Sequence, residues 1–173
     1  LSVNTFFLCH CVSNEQKLEL LADAGVDALA VATLDEAMQL RWSQIALPIC
    51  LLGGVQNAEE AGIALEQGIQ VVVHDFNQIQ LLKSHAFGGM AKVWIKLDTG
   101  MHRLGFDPNS LAQLQAELAD WPGVEILGWM THLASADHLE CAQTAQQLAV
   151  FSKTLMHQQG MRSIANSAAI LFW

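Results

Sequence analysis

Basic residues are scarce in this chain. Eight Lys and Arg stand against 17 Asp and Glu, a formal net charge of −9 over 173 residues. The eight are scattered, so there is no basic stripe for nucleic acid and no polybasic cluster for an anionic membrane surface. Long apolar runs are absent too, and none approaches the ~18–20 residues that span a bilayer. The apolar start has no basic segment before it and no small-residue cleavage site after it, so no secretory signal is read there. Cysteines are few: Cys9, Cys11, Cys50 and Cys141. A chain this long needs no disulfide staple, which fits reduced thiols and a cytoplasmic setting. Cys9-His10-Cys11 has one intervening residue and no second Cys/His pair at a finger spacing, so no metal site is expected.

What is present is apolar material, 52% of residues against 14% charged, enough for one well-buried domain. The chain begins with Leu1 rather than Met and ends on Ile170-Leu171-Phe172-Trp173, which reads as a fragment. Short apolar, often β-branched runs recur at Ala28–Ala32, Ile49–Leu52, Gln70–Val73, Lys92–Leu97, Glu125–Met130 and Ser163–Ala165. Such runs fit parallel strands buried on both faces. Helix signals separate them. Ser13 with Gln16, Thr33 with Glu36, and Asn57 with Glu60 have capping-box spacing, and Gly25 and Gly68 supply stops. Asp107-Pro108 places a cap before a proline, followed by the stripe Leu111, Leu114 and Leu118. Asp137 is expected to cap a long helix with Cys141, Ala145, Leu148, Ser152 and Leu155 inward and Gly160 at its end.

Alternating strands and helices at this interval imply βα units on a parallel sheet. A doubly wound open sheet and a (β/α)8 barrel both satisfy that pattern. No G-x-G-x-x-G follows the first strand, which weakens a dinucleotide-binding version of the former. About six units are fewer than a full barrel holds.

In such folds the chemistry sits where strands end. In Lys96-Leu97-Asp98-Thr99-Gly100-Met101-His102-Arg103-Leu104-Gly105-Phe106, Lys96 and Asp98 share a strand face. An inward Lys96 must be paired with Asp98, neutral, or chemically modified. Gly100 and Gly105 permit turns that aim Arg103 back over the strand ends. His132, in Thr131-His132-Leu133-Ala134-Ser135-Ala136-Asp137, reads either as a core histidine or as a ring beside a planar ligand. Asn166 and Ser167, in Ser163-Ile164-Ala165-Asn166-Ser167-Ala168-Ala169, read as a turn or as donors to an anion.

Together these three segments resemble the signatures of alanine racemases, the fold-type III pyridoxal-phosphate enzymes. Lys96–Phe106 is the longest and most specific match; the other two follow in order, and Asp27–Arg41 is similar to the family's second strand and helix. The resemblance covers roughly residues 13–173 as a partial pyridoxal-phosphate-binding barrel domain and leaves residues 1–12 unassigned. It implies an incomplete (β/α)8 barrel of about six βα units, without the first and last strands or the C-terminal β-domain. It further implies that Arg103 meets the cofactor's phenolic oxygen, that Lys96 is carbamylated and steadies Arg103, and that His132 packs on the pyridine ring. Ser167 would bind the phosphate, with Asn166 supporting the same region. The intact form would be a cytoplasmic homodimer that converts alanine to D-alanine for the cell wall. Two departures matter. No Lys-Ala-Asn-Ala-Tyr-Gly type of segment carries a Schiff-base lysine in residues 1–27, and the chain has no tyrosine. Neither acid–base group of the family is present, so no racemase activity is expected of this chain alone. A serine or lysine racemase, or a degenerate non-catalytic pyridoxal-phosphate-binding protein, are the alternatives.

Overall fold

The computed structural model describes residues 6–8, 25–85 and 90–173. Seven strands form one sheet: β1 (Phe6–Leu8), β2 (Ala28–Val31), β3 (Ile49–Leu51), β4 (Gln70–Val73), β5 (Ala91–Lys96), β6 (Val124–Met130) and β7 (Met161–Ser163). Helices α1 (Leu34–Trp42), α2 (Ala58–Glu66), α3 (Phe76–His85), α4 (Leu111–Ala119) and α5 (Gln143–Thr154) alternate with strands, and α6 (Ser167–Phe172) follows β7. Every neighbouring pair is parallel, and spatial order follows chain order. Right-handed crossovers between successive neighbours put all the helices on one face. A doubly wound sheet needs a reversal of strand order, and this sheet has none. The chain is therefore the incomplete α/β barrel expected from the sequence, open between β1 and β7.

Among the described residues there are seven strands rather than about six. Residues 6–8, in the segment left unassigned, pair with β2 through Phe6↔Ala28, Phe7↔Leu29 and Leu8↔Ala30. The helix expected after Ser13 and the Cys9-His10-Cys11 cluster lie outside the described residues. Among the described residues no helix is long and apolar enough to cross a membrane, and no group of His, Cys, Asp and Glu could hold a metal ion.

Strand alternation sorts the core into two layers. The helix-facing layer packs Leu29, Ile49, Val71, Val93, Ile95 and Trp129 against helix residues such as Leu40, Ile79 and Leu114. The barrel-facing layer holds Ala30, Cys50, Val72, Trp94 and Met130. Burial pushes the Cys50 thiol up to about 12, so it serves as packing rather than as a nucleophile. Trp94 fills this layer, its indole N–H donating to Gln70 Oε1 at 2.9 Å. Its neighbour on β6 is Gly128, where a Cβ would lie 2.7 Å from the Trp94 ring and 2.4 Å from the Met161 carbonyl oxygen. A glycine inside a strand is explained by that close approach.

The caps form largely as read. Thr33 Oγ1 accepts from the Glu36 N–H while Glu36 Oε2 accepts from the Thr33 and Ala32 N–H groups, a complete capping box. Asn57 Oδ1 accepts from the Glu60 N–H, but Glu60 accepts from the Gln56 N–H and the Asn57 side-chain amide rather than from the Asn57 N–H. Asp107 caps a short 3-10 turn, Pro108–Ser110, that leads into α4.

Two expectations shift. β7 lies two residues earlier than Ser163–Ala165, because pairing of Gly128, Trp129 and Met130 with Met161, Arg162 and Ser163 sets its register. The helix expected from Asp137 begins only at Gln143 and has no side-chain cap, because the preceding stretch is taken up by turns closed at Ser135 and His138. Its buried face is Thr144, Gln147 and Phe151, not Cys141, Ala145, Leu148 and Ser152; of the expected residues only Leu155 is fully buried. Gln147 on this inward face hydrogen-bonds two loops, and a polar residue there hides the face from a search for apolar stripes. Gly128→Ala should destabilise the fold by about 1–3 kcal/mol through overpacking against Trp94, measured as a lower urea midpoint with unchanged slope.

Candidate functional site

The residues singled out from the sequence stand where β5, β6 and β7 end. After Lys96 the chain loops out and closes on itself. The Phe106 N–H donates to the Lys96 carbonyl and the Asp98 N–H to the Phe106 carbonyl, both at 2.9 Å. Gly105 makes this closure possible: at φ +139 it occupies a region that L side chains rarely adopt, and a Cβ would fall 2.4 Å from the Asp98 nitrogen. Asp98 organises the loop interior. Its Oδ1 accepts from the N–H groups of Gly100, Met101 and His102, each at 3.0 Å, and its Oδ2 lies 3.4 Å from His102 Nδ1. Burial opposes the carboxylate's charge, but these backbone donors and His102 outweigh it and hold the Asp98 pKa below its ordinary value.

Asp98 is thus committed to its own loop rather than paired with Lys96. Lys96 is buried on the barrel-facing layer beside Met130. Burial lowers its pKa first, Arg103 lowers it further, and Asp98 offsets only part of this. His132 is half-buried just past the end of β6 and is shifted in the same direction by burial, then by Lys96, then by Arg103. Three groups that carry or take positive charge therefore act on one another at one mouth. Arg103 is exposed, and its guanidinium makes no hydrogen bond or ion pair among the described residues.

Asn166 and Ser167 lie at the neighbouring strand end. Asn166 Oδ1 accepts from the Ala169 N–H at 3.0 Å, and its Nδ2 donates to the Leu133 carbonyl at 3.1 Å. Both ends of this amide are engaged, so Asn166 ties the start of α6 to the loop that carries His132. Ser167 is exposed, and its hydroxyl has no partner among the described residues. The structure thus groups Lys96, Arg103 and His132 by charge and joins Asn166 and Ser167 to them through Leu133.

Sequence reasoning missed the side chains that hold the loops in place. Gln147 is buried on α5; its Nε2 donates to the His132 carbonyl at 2.9 Å and to Thr99 Oγ1 at 3.3 Å, and its Oε1 accepts from the Ala134 N–H at 2.9 Å. Gln143, one turn earlier, donates to the Gly100 carbonyl at 3.1 Å and accepts from the Ser135 hydroxyl. A buried donor or acceptor left without its partner costs about 1–3 kcal/mol, so these amides matter to the fold as well. A further cluster joins the ends of β3 and β4: His74 Nε2 lies 3.1 Å from the Gly53 carbonyl and 3.0 Å from Gln78 Nε2. No hydrophobic period flags any of these residues.

A parallel α/β barrel with cationic groups gathered at its strand ends is the class of fold and site that this chain presents. The family described as "Alanine racemase, N-terminal domain" matches residues 10–173, and the chain belongs to that family. It is 43% identical over 156 residues to the alanine racemase of Acidithiobacillus ferrooxidans, covering 88% of this chain and 43% of that protein. It superimposes on the biosynthetic alanine racemase of Pseudomonas aeruginosa with a TM-score of 0.84 at 36% identity, covering 91% of this chain and 44% of that one. The alanine racemase of Bartonella henselae, solved with covalently bound pyridoxal phosphate, gives a TM-score of 0.82 at 27% identity, covering 92% and 47% of the two chains. The chain spans less than half the length of these relatives.

The charge crowding has a signed consequence. With the folded His132 pKa lowered, the unfolded chain takes the proton more readily than the folded one. The stability contributed by neutral His132 is complete above the unfolded value of about 6.5 and is lost as the pH falls through the lower folded value. An NMR titration should place the His132 midpoint below the ordinary imidazole value, and Arg103→Gln should raise it. An unchanged midpoint in Arg103→Gln would show that the two groups are not neighbours.

Proposed function

We propose that this domain supplies the pyridoxal-phosphate-holding part of an alanine racemase, which in its intact form is a cytoplasmic homodimer that interconverts L- and D-alanine for cell-wall synthesis. The observation that carries the proposal is the cluster of Lys96, Arg103 and His132, whose mutual repulsion Asp98 offsets only in part and only at Lys96. A cluster of like charges at a strand-end mouth suits an anionic, planar ligand. The donor set fits that cofactor: the exposed guanidinium of Arg103 suits a phenolate, the His132 imidazole a ring face, and the exposed Ser167 hydroxyl a phosphate oxygen. Asn166 ties the start of α6, and with it Ser167, to the His132-bearing loop and so supports the same region. When bound, pyridoxal phosphate supplies the electron sink for loss of the α-proton.

The chain's own residues then bind and orient. Lys96 in its neutral form can add to carbon dioxide and release one proton, which leaves a carbamate anion beside Arg103. That change replaces repulsion with a charge-assisted pair and aims the guanidinium. What the chain does not supply is proton transfer at the substrate. The strand Phe6–Leu8 carries no lysine, and the sequence has no tyrosine. Positioned acid and base groups each contribute typically ~10²–10⁴ in rate. The 173-residue chain by itself should therefore form no D-alanine above background.

Calorimetric titration tests the reading. The chain should bind pyridoxal phosphate more tightly than pyridoxal, and Arg103→Gln and Ser167→Ala should each weaken binding by roughly tenfold, the loss of one charge-assisted or phosphate hydrogen bond. Equal affinity for pyridoxal and its phosphate, or no effect of Arg103→Gln, would refute the assignment.

A further inference from the structure

The loop after β5 and the loop after β6 carry the site's cationic groups, yet no strand pairing reaches that far. They are joined by side chains of α5, and the joints repeat. Gln143 and Gln147 are four residues apart, so they project from one face of the helix. Each donates with Nε2 into the β5 loop and accepts with Oε1 from the β6 loop. Gln143 joins Gly100 to Ser135; Gln147 joins Thr99 to Ala134 and donates a second hydrogen to the His132 carbonyl. Both partners advance by one residue from the inner staple to the outer.

The proton directions around Gln147 are fixed. The His132 carbonyl can only accept and the Ala134 N–H can only donate, which sets the amide's orientation. Gln147 Nε2 therefore donates to Thr99 Oγ1. Thr131 Oγ1 donates to the Leu97 carbonyl at 3.0 Å, so at the 2.8 Å contact between the two hydroxyls Thr99 is the donor. One directed chain runs from α5 through Thr99 and Thr131 to the backbone beside Lys96. Gln147 and both threonines are buried, so each bond operates away from competing water.

We propose that Gln143 and Gln147 are positioning residues: a two-rung amide staple that fixes the distance between the Arg103-bearing loop and His132 and holds Lys96, Arg103 and His132 together against their mutual repulsion. Neither glutamine touches the ligand in this scheme. Both act through the loops they join. The staple itself is independent of which anion fills the mouth; its consequence for cofactor affinity rests on the pyridoxal-phosphate reading.

A double-mutant cycle separates positioning from simple stability. Arg103→Gln is made in the unaltered chain and in Gln147→Met, which keeps side-chain length and removes the amide, and the His132 midpoint is followed by NMR in all four proteins. In the unaltered chain Arg103→Gln moves the midpoint upward. In Gln147→Met the midpoint starts higher, and Arg103→Gln moves it little further. The same upward response in both backgrounds overturns the proposal. Where circular dichroism shows that Gln147→Met does not fold, the half-buried Gln143→Met carries the same cycle under the same criterion. Pyridoxal-phosphate titration of these variants forms the second arm: affinity falls in the staple variants in step with the loss of Arg103–His132 coupling. If the unaltered chain binds no pyridoxal phosphate, the functional reading fails, while the NMR cycle still decides the staple.

Discussion

Like charges crowded at one end of a parallel barrel are the condition around which the rest of this structure is arranged. Lys96, Arg103 and His132 come from two successive strand ends, and Lys96 and His132 are both held below their ordinary pKa values, first by burial and then by neighbouring charge. A flexible chain would relieve that repulsion by moving the loops apart. Here the loops cannot separate freely. The β5 loop is closed by two backbone hydrogen bonds across Lys96, Asp98 and Phe106, its interior is filled by the Asp98 carboxylate, and α5 fastens it to the β6 loop. The cationic groups are thereby held in one arrangement by the fold itself, the condition under which electrostatic recognition of the proposed anion is most effective.

Folding and site chemistry share the same bonds. Gly105 permits the close approach that shuts the β5 loop, Gly128 lets Trp94 fill the barrel beneath Lys96, and the buried amide of Gln147 satisfies three polar groups on two loops. Each feature contributes to stability and also sets where a charge stands. The barrel alone, by contrast, does not determine the chemistry. The same parallel architecture serves many reactions, and the family assignment rests on the match over residues 10–173 together with the strand-end residues.

Much of this was legible in the sequence because it depends on local pattern. Buried parallel strands such as Gln70–Val73 are nearly continuous apolar runs, and caps such as Thr33 with Glu36 have a fixed spacing. The strand-end motifs pointed to Lys96, Arg103 and His132 because a parallel barrel gathers the side chains at its strand ends, and these three act on one another there. What was not legible depends on partners remote in the chain. The strand Phe6–Leu8 is three residues long and is defined by pairing with β2 rather than by any period of its own. The inward face of α5 was misread because Thr144 and Gln147 are polar, and for Gln147 only the loops it meets explain its burial. The Lys96–Asp98 pairing, open from the sequence, gave way to loop closure because three backbone N–H groups compete for the same carboxylate oxygen.

The most direct test is to follow all histidine imidazoles of the chain by NMR while pyridoxal phosphate is added. An anion seated among the three cationic groups favours the charged imidazole, so the His132 resonances should shift and their titration midpoint should rise on binding, while the exposed His138 and His157 stay unchanged. Saturable binding that leaves His132 unmoved would place the ligand elsewhere and contradict the account.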